Sequence, residues 1–435
     1  MERALRLLKL AQSVSESAEV LAVRQTSFGL RASPGGGISF EEASSTEENL
    51  RIVRNGRLGV GSSAGSQDLP SVVDMAIGGS RFGPVTEWRF PGLSETGQVE
   101  MRHAAVTAMT LDDLTGLFLG IEDAVRSASP HAAATGILRR RDVEAFLANS
   151  EGFEGGFSRA LLEFEMELSF PGKDGMLVQA LRFCSGLPPA APGKLCADIC
   201  TRQEWASRKA DLPDGDMPVI LSPSVLCTLL QSLRACVSGR ALAAGATPLA
   251  GRVGERIASP AVSVLDRPRL PYGGASAPFD AEGVPTRDRD LLRDGVFCGF
   301  VTDLATAHEL GQVSTGSAGR NTGEHPSPVC TNLVFLPGEK SLEDLMKTPE
   351  CCVYVAELLP GSSGDALSGN FAFEVPAGFL IRNGEVEGHL PGLSLSGNAL
   401  GMLTGIREAG DSLHGVECDW LPAVLADGAL LRQSR

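Results

Sequence analysis

Residues Tyr272 to Arg320, YGGASAPFDAEGVPTRDRDLLRDGVFCGFVTDLATAHELGQVSTGSAGR, concentrate more backbone-determining chemistry than any other stretch of the chain. Gly273, Gly274 and Gly283 are free to take left-handed conformations and Pro278 and Pro285 fix their own φ, which together predict a shaped loop. Asp280 and Glu282 put two carboxylates inside that loop, either as a paired acid and base or as caps on backbone amides, the commoner role beside Gly and Pro. A turn at Asp294-Gly295 leads into Val296, Phe297, Phe300 and Val301, an apolar run suited to a buried strand. Ser314, Thr315, Gly316 and Ser317 close the segment with small residues that permit close backbone approach, and Arg320 can hold a carboxylate. The pattern is that of a groove wall or of an elaborate connector inside an α+β domain.

A chain of 435 residues has ample core for two large domains or three smaller ones. Its formal net charge of −15 argues against nonspecific nucleic-acid binding. Arg139-Arg140-Arg141 alone reads as a solvated face. The ten cysteines include Cys196-x3-Cys200 and Cys351-Cys352 but no CxxC pair, which predicts reduced thiols in a cytoplasmic protein. Ala4, Leu7, Leu8 and Ala11 recur at helical spacing opposite Arg3, Arg6 and Lys9, an amphipathic helix and not a signal peptide. No apolar stretch approaches the ~18 residues of a membrane span.

Val20 to Leu30 and Leu50 to Val60 are β-rich, with a hairpin signal at Asn55-Gly56. Pro70 opens one helix, carrying Val72, Val73, Met75 and Ala76, and Leu111 to Ala128 forms another. Residues 133 to 184 return to strands, with half-buried alternation from Ala160 to Phe170. The expected architecture is α+β. An N-terminal domain, 1–205, combines a largely antiparallel sheet with helices, and a C-terminal domain, 206–435, is mostly antiparallel β. The second domain begins with a helix over Ser224 to Arg240, with Val225, Leu229, Leu233 and Cys236 on one face, and carries a helical insert near Ser341 to Met346. Exposed strand edges there are suited to accepting an extended peptide by β-addition, with the Ser314 to Arg320 run as one wall.

Three short motifs invite catalytic readings. Gly61-Ser62-Ser63-Ala64-Gly65 fits GxSxG between a strand and a helix, the setting of a nucleophile elbow, but the elbow also needs parallel βαβ units and a later acid and His. Gly59-Val60-Gly61 as a nucleotide fingerprint has its third glycine out of register. His308-Glu309 opens like HExxH, yet Gln312 stands at the second ligand position. The six histidines, at 103, 131, 308, 325, 389 and 414, include no pair at metal-ligand spacing.

The runs PFDAEGVPT, DGVFCGFVTDLATA and STGSAGR resemble, in order, the central signature of the TldD/PmbA family, the "modulators of DNA gyrase". Asn149 to Gly152 resembles its NSEG element and Pro218 to Pro223 its PV-x-x-SP element. Asn332-Leu333 to Pro337-Gly338 resembles its NL-x-x-x-PG element. Ser368 to Phe371 and Gly378 to Glu385 are similar to its GDFS and GFxIxNGE pair, with Asn370 and Ala372 where the family often has Asp and Ser. TldD-like members carry an HExxxH zinc motif on a helix and TldE/PmbA-like members lack it. The corresponding run here is LSPSVLC, with Ser222 and Pro223 where His and Glu would stand and Cys227 at the second His position.

The resemblance therefore implies a TldE/PmbA-like chain with no catalytic residue and no cofactor of its own. Zn²⁺ is expected only in a TldD-like partner of a heterodimer that processes unfolded or leader peptides. A homodimeric peptide-binding scaffold is the alternative, and an independent hydrolase using Ser63 or Cys227 a further one. Candidate peptide contacts are Ser314, Thr315, Gly316, Ser317, Arg320, Asp280 and Glu282.

Overall fold

The computed structural model describes residues 1–33, 37–65, 67–172, 175–359 and 364–434. Residues 173 and 174, within the stretch expected to be strands, lie outside the described residues. The first half is built on one sheet of long strands: β1 (Ser17–Ser33), β2 (Gly37–Arg54), β3 (Arg57–Ser63), β4 (Ala133–Asn149), β5 (Glu154–Gly172) and β6 (Gly175–Ser185). Their order is β3-β2-β1-β4-β5-β6 and every pairing is antiparallel. Asn55 and Gly56 both take positive φ and close the β2–β3 hairpin in two residues, as the Asn-Gly pair predicts.

Helices cover one face of this sheet. In α1 (Glu2–Gln12), Ala4, Leu7, Leu8 and Ala11 are buried and join Val72, Val73 and Ala76 of α2 (Leu69–Ser80) over Ala18, Val20, Leu50 and Ile52. Two further helices follow, α3 (Ala104–Ala108) and α4 (Leu111–Ala128). A capping box starts α4, in which Thr110 and Asp113 each accept a hydrogen bond from the other's backbone N–H. Because strand side chains alternate, Glu19 and Leu21 of β1 point to the opposite face. The second half of the chain covers that face, with Leu21, Leu147 and Phe153 packed against Phe279.

After α5 (Pro192–Leu195) and α6 (Ala197–Trp205), the chain enters β7 (Val219–Leu221) and α7 (Pro223–Cys236). The expected helix to Arg240 stops at Cys236, because the backbone turns at Val237 and Gly239 N–H donates to Val301 C=O. A Cβ on Gly239 would sit 2.8 Å from Thr302 Cγ2, so that turn needs glycine. Val225, Leu229, Leu233 and Cys236 of α7 are buried in a cluster drawn from two six-stranded sheets. One sheet runs Glu385–His389, Ala377–Arg382, Cys351–Glu357, β7, Val424–Ala426 and Ile406–Ala409. The other runs Val296–Phe297, Arg289–Arg293, Val264–Asp266, Leu333–Phe335, Asp419–Leu421 and His414–Val416. Short strands and antiparallel pairings dominate, with parallel pairing of β7 to Cys351–Glu357 and of Leu333–Phe335 to Asp419–Leu421.

The core is continuous along the chain. Leu138, Phe164 and Phe170 of the first sheet lie in one apolar cluster with Ile220, Tyr354 and Phe379.

Candidate functional site

A buried network of charges marks the junction of the first sheet with the Tyr272–Arg320 segment. Glu19 of β1 and Arg51 of β2 are direct cross-strand partners on the face away from α1 and α2. Arg51 Nε and Nη2 donate to the two oxygens of Glu19 at 3.0 and 2.9 Å, and Arg51 Nη1 donates to Glu282 Oε1 at 2.7 Å. The second oxygen of Glu282 accepts from Leu304 N–H at 2.7 Å. Arg320 Nη1 reaches Glu19 Oε1 at 3.1 Å, so two carboxylates and two guanidinium groups balance one another. The aromatic rings of Trp88 and Phe90 lie 5.4 and 5.1 Å from the Arg51 guanidinium carbon and complete its enclosure.

The electrostatics follow from that enclosure. Burial would lower Arg51, but the Glu19 and Glu282 charges outweigh it and hold the guanidinium firmly protonated. Burial pushes Glu282 up, opposed chiefly by Arg51. Arg320, whose side chain is fully buried, is brought down to about 10 by the same desolvation. Among the described residues its Nε and Nη2 have no hydrogen-bond partner.

Asp280 acts on backbone. Its Oδ1 accepts from Glu282 N–H at 2.9 Å and Val284 N–H at 3.0 Å, and its Oδ2 accepts from Ala318 N–H at 2.9 Å. Burial, reinforced by the Glu282 charge, pushes the Asp280 carboxyl upward, while those three amide donors favour its ionised form. Through Ala318 this carboxylate ties the DAEG loop to the STGSAGR run. Thr315 strengthens the tie: its Oγ1 accepts from Thr302 N–H at 2.7 Å and its own N–H donates to Thr302 Oγ1 at 3.1 Å. Ser314 Oγ lies 3.4 Å from Thr302 C=O, and Ser317 is buried with its Oγ 3.1 Å from Thr315 Oγ1. Gly316 has φ +68°, and a Cβ there would lie 2.4 Å from Pro285 C=O. The structure thus brings Asp280, Glu282, Ser314, Thr315, Gly316, Ser317 and Arg320 together as an internal bracket, with the charged groups of all three ionisable members spent inside the fold or enclosed by it.

Above this bracket opens a cleft of about 440 Å³, with Arg51, Glu282 and Asp303 on its floor and Trp88, Arg240, His308 and His325 around its mouth. Asp303 is buried and caps the short helix Leu304–Glu309, accepting from Thr306 N–H at 2.7 Å. His308, on that helix, is exposed toward solvent. Burial lowers His325, and the nearby Arg51, Arg240 and Arg320 charges lower it further, which keeps its imidazole neutral and able to both donate and accept. The cleft therefore offers an aromatic plane, a neutral imidazole and a guanidinium over a fixed, charge-balanced floor. A larger cavity of about 950 Å³ lies elsewhere, between Phe170, Lys209, Glu374, His389 and Arg432, and contains none of the signature residues.

The LSPSVLC run has local duties of its own. Ser222 is the N-cap of α7: its Oγ accepts from Val225 N–H at 3.2 Å and donates to Ala356 C=O at 2.8 Å. Pro223 occupies the first helical turn, where its missing N–H costs nothing. Ser222 and Pro223 thus start the helix and do not ride on its face. Cys227 is buried, its Sγ 3.6 Å from Asp419 Oδ2, and desolvation raises its thiol. Asp419 is shared with Arg234, an ion pair that also accepts from Leu333 N–H at 2.8 Å. Among the described residues no three His, Cys, Asp or Glu side chains converge as they would around a metal ion.

The GxSxG glycines also have a packing explanation. A Cβ on Gly61 would lie 2.2 Å from Val72 C=O of α2, and Ser63, buried at the end of an antiparallel edge strand, accepts from Gly65 N–H at 3.1 Å. The remaining signature elements pin loops. Asn149 Oδ1 accepts from Glu151 and Phe153 N–H and its Nδ2 donates to Pro91 C=O. Asn332 is buried and bonds Arg267, Ala275 and Ser276, which holds the start of the Tyr272–Arg320 segment. Sequence reasoning missed Glu19, Arg51, Trp88, Arg240 and Asp419. The signal for the first two was a charge set among apolar neighbours, Ala18-Glu19-Val20 and Leu50-Arg51-Ile52, which alternation alone assigns to a solvent face.

This combination of a long antiparallel sheet with helices on one face and a strand-rich second half on the other is a fold already known from solved structures. TldE from Thermococcus kodakarensis superposes with a TM-score of 0.89 at 21% identity, covering 98% of this chain and 99% of that one. A Thermotoga maritima protein provisionally assigned as a modulator of a DNA gyrase superposes with a TM-score of 0.86 at 22% identity, covering 99% of each. The model of the PmbA/TldA metallopeptidase C-terminal domain matches residues 214–432, half of the chain. The chain therefore belongs to the PmbA/TldD family. A metalloprotease TldD homolog of Haemophilus influenzae is 29% identical over 203 residues, 46% of this chain and 42% of that protein. A metalloprotease of Archaeoglobus fulgidus is 31% identical over 196 residues, 45% of each. The matches thus span less than half the length of these curated relatives. Among the described residues no helix is long and apolar enough to cross a membrane.

Proposed function

We propose that this chain is the non-catalytic, TldE/PmbA-like subunit of a heterodimer whose TldD-like partner holds zinc on an HExxxH helix and cuts unfolded or leader peptides. The observation that carries this reading is the commitment of Ser222, Pro223 and Cys227 to capping, helix initiation and core packing, within a chain of this family. The metallopeptidase names of its relatives support the reaction class of the complex. This chain's own part is to grip peptide and complete the chamber, in the cytoplasm.

The cleft bounded by Trp88, Arg240, His308 and His325 is the grip. A peptide backbone finds donors in Arg240 and His325 and an apolar plane in Trp88. Asp280, Glu282, Ser314, Thr315, Gly316, Ser317 and Arg320 frame this cleft from behind. Coexpression with an HExxxH-bearing paralogue tests the reading. The expected result is a stable 1:1 complex, zinc in stoichiometric amount with the partner only, and peptide cleavage only when both chains are present. A homodimer that ignores the paralogue would replace this reading with a scaffold. Peptide cleavage by the lone chain in the presence of a chelator, abolished by Ser63→Ala or Cys227→Ala, would replace it with an independent hydrolase.

A further inference from the structure

Ten cysteines are free in this chain, and one pair of them joins distant parts of the fold. Cys184 lies on β6, the edge strand of the first sheet, and Cys418 lies in the turn between His414–Val416 and Asp419–Leu421. The turn docks on the strand by a parallel bridge between Phe183 and Glu417. Cys184 N–H donates to Glu417 C=O at 2.7 Å and Glu417 N–H donates to Arg182 C=O at 3.2 Å, which sets residues 184 and 418 side by side in register. The ring of Phe183 seals one flank against Gly415, where an added Cβ would meet it at 2.5 Å.

Independent contacts place the sulfurs together. The two thiols lie close enough to perturb one another's ionisation. Gly274 lies over both residues, and a Cβ there would stand 2.4 Å from Cys184 C=O and 2.7 Å from Cys418 Sγ, so only glycine lets the loop close over the pair. Both cysteines are half-buried, neither sealed in the core nor fully exposed.

The surroundings favour thiol chemistry over inert packing. Arg159 sits beside the pair with its Nη1 3.3 Å from Ser276 C=O, and among the described residues its Nε has no partner. Its positive charge acts on both thiols. Glu163 accepts from Cys184 Sγ at 3.6 Å and is itself held by Arg139 and Arg141. Contact with the Cys184 thiol holds the Cys418 thiol below its ordinary value, and the Arg159 and Arg234 charges add to the effect. Cys418 is therefore the readier nucleophile.

We propose that Cys184 and Cys418 form a reversible redox pair, which a hydroperoxide joins into a disulfide tying the edge of the first sheet to the Glu417 turn. The Cys418 thiolate attacks the peroxide O–O bond, giving a sulfenic acid and releasing hydroxide. The Cys184 thiol then attacks that sulfur, forming the S–S bond, with water leaving as the thiol proton is taken up. In total two thiols and one hydrogen peroxide give one disulfide and two waters, and a dithiol reductant reverses the step by exchange. The bond locks the seat of the Tyr272–Arg320 segment, because Ser185 and Gly186, next to Cys184, both donate to Tyr272 C=O.

Peptide mapping of the full-length chain after brief treatment with hydrogen peroxide tests this directly. The expected product is a cross-linked pair of peptides carrying Cys184 and Cys418, released by dithiothreitol, with the other eight cysteines still open to alkylation. Oxidation should raise the melting temperature by roughly 5 °C or more, reversibly, since the link closes a long loop between the halves. Cys184→Ser and Cys418→Ser should each lose both the cross-link and the rise. Oxidation of Cys418 to sulfinic acid without a cross-link, or a cross-link that forms equally in Cys184→Ser, would overturn the proposal. The mapping needs no variant to fold, so a failed variant does not protect the idea.

Discussion

Two buried charge clusters serve this chain in different ways. The Glu19–Arg51–Glu282–Arg320 network draws its members from both halves and encloses them almost completely. The Arg234–Asp419 pair beside Cys227 lies wholly within the second half, and its arginine keeps partial contact with solvent. The first cluster is a joint and the second a brace for α7. At α7 the polar groups of Ser222, Arg234 and Asp419 hold the helix in place.

Breaking the joint should cost most. Arg51→Met leaves Glu282 buried without its guanidinium partner and Glu19 with Arg320 alone, and should destabilise by about 3–5 kcal/mol in denaturant titration. Amide exchange should accelerate both at Val20 and at Leu304 if the network truly couples the halves. Acceleration confined to the first sheet would reduce the joint to a local pair. Asp419→Asn should cost about 2–3 kcal/mol, since Arg234 loses its charge partner and the acceptors for Leu333 N–H and Cys227 are weakened. Its exchange effect should stay within the second half.

Smaller changes sharpen the contrast. Ser222→Ala removes the α7 cap and should cost about 1 kcal/mol in the same titration. At the cleft, Trp88→Ala paired with His325→Ala should reduce peptide binding by the proposed heterodimer several-fold, measured by fluorescence anisotropy, while the chain keeps its far-UV circular dichroism. Unchanged peptide affinity would move the grip away from this cleft. The least effect belongs to His389, half-buried with Nε2 3.2 Å from Pro376 C=O. Burial holds its folded value below the ordinary 6.5, so the unfolded chain takes up the proton first and stability is lost as pH falls below about 6.5. His389→Gln should flatten that part of the pH–stability curve.

Local pattern made much of this fold legible. The spacing of Ala4, Leu7, Leu8 and Ala11, the helical pattern from Leu111 to Ala128 and the Asn55-Gly56 turn are each set by neighbours along the chain, and each element formed as its chemistry dictates. The family signature was legible for the same reason, since runs such as PFDAEG and STGSAGR are short and ordered. The site was less so. Asp280 and Glu282 were visible as carboxylates, but whether they face substrate or backbone depends on Ala318 and Leu304 N–H groups that only tertiary structure brings near. Glu19 and Arg51 went unnoticed, because alternation cannot report that a second layer covers their face of the sheet. The end of α7 was misjudged because the close approach of Val301 and Thr302 to Gly239 is a contact across more than sixty residues of chain.

The joint between the halves also sets an order of events during synthesis. Glu19 leaves the ribosome 301 residues before Arg320, and Arg51 leaves 231 residues before Glu282. The first sheet is complete at Ser185, so at translation rates of about 5–20 residues per second it waits roughly 5–20 s for Glu282, with a face of β1 and β2 that has no cover. During that interval Leu21, Leu147 and Phe153 are exposed beside a guanidinium whose second carboxylate has not yet been made. The nascent first half therefore carries an apolar face beside an incompletely paired guanidinium until the DAEG loop arrives to close it.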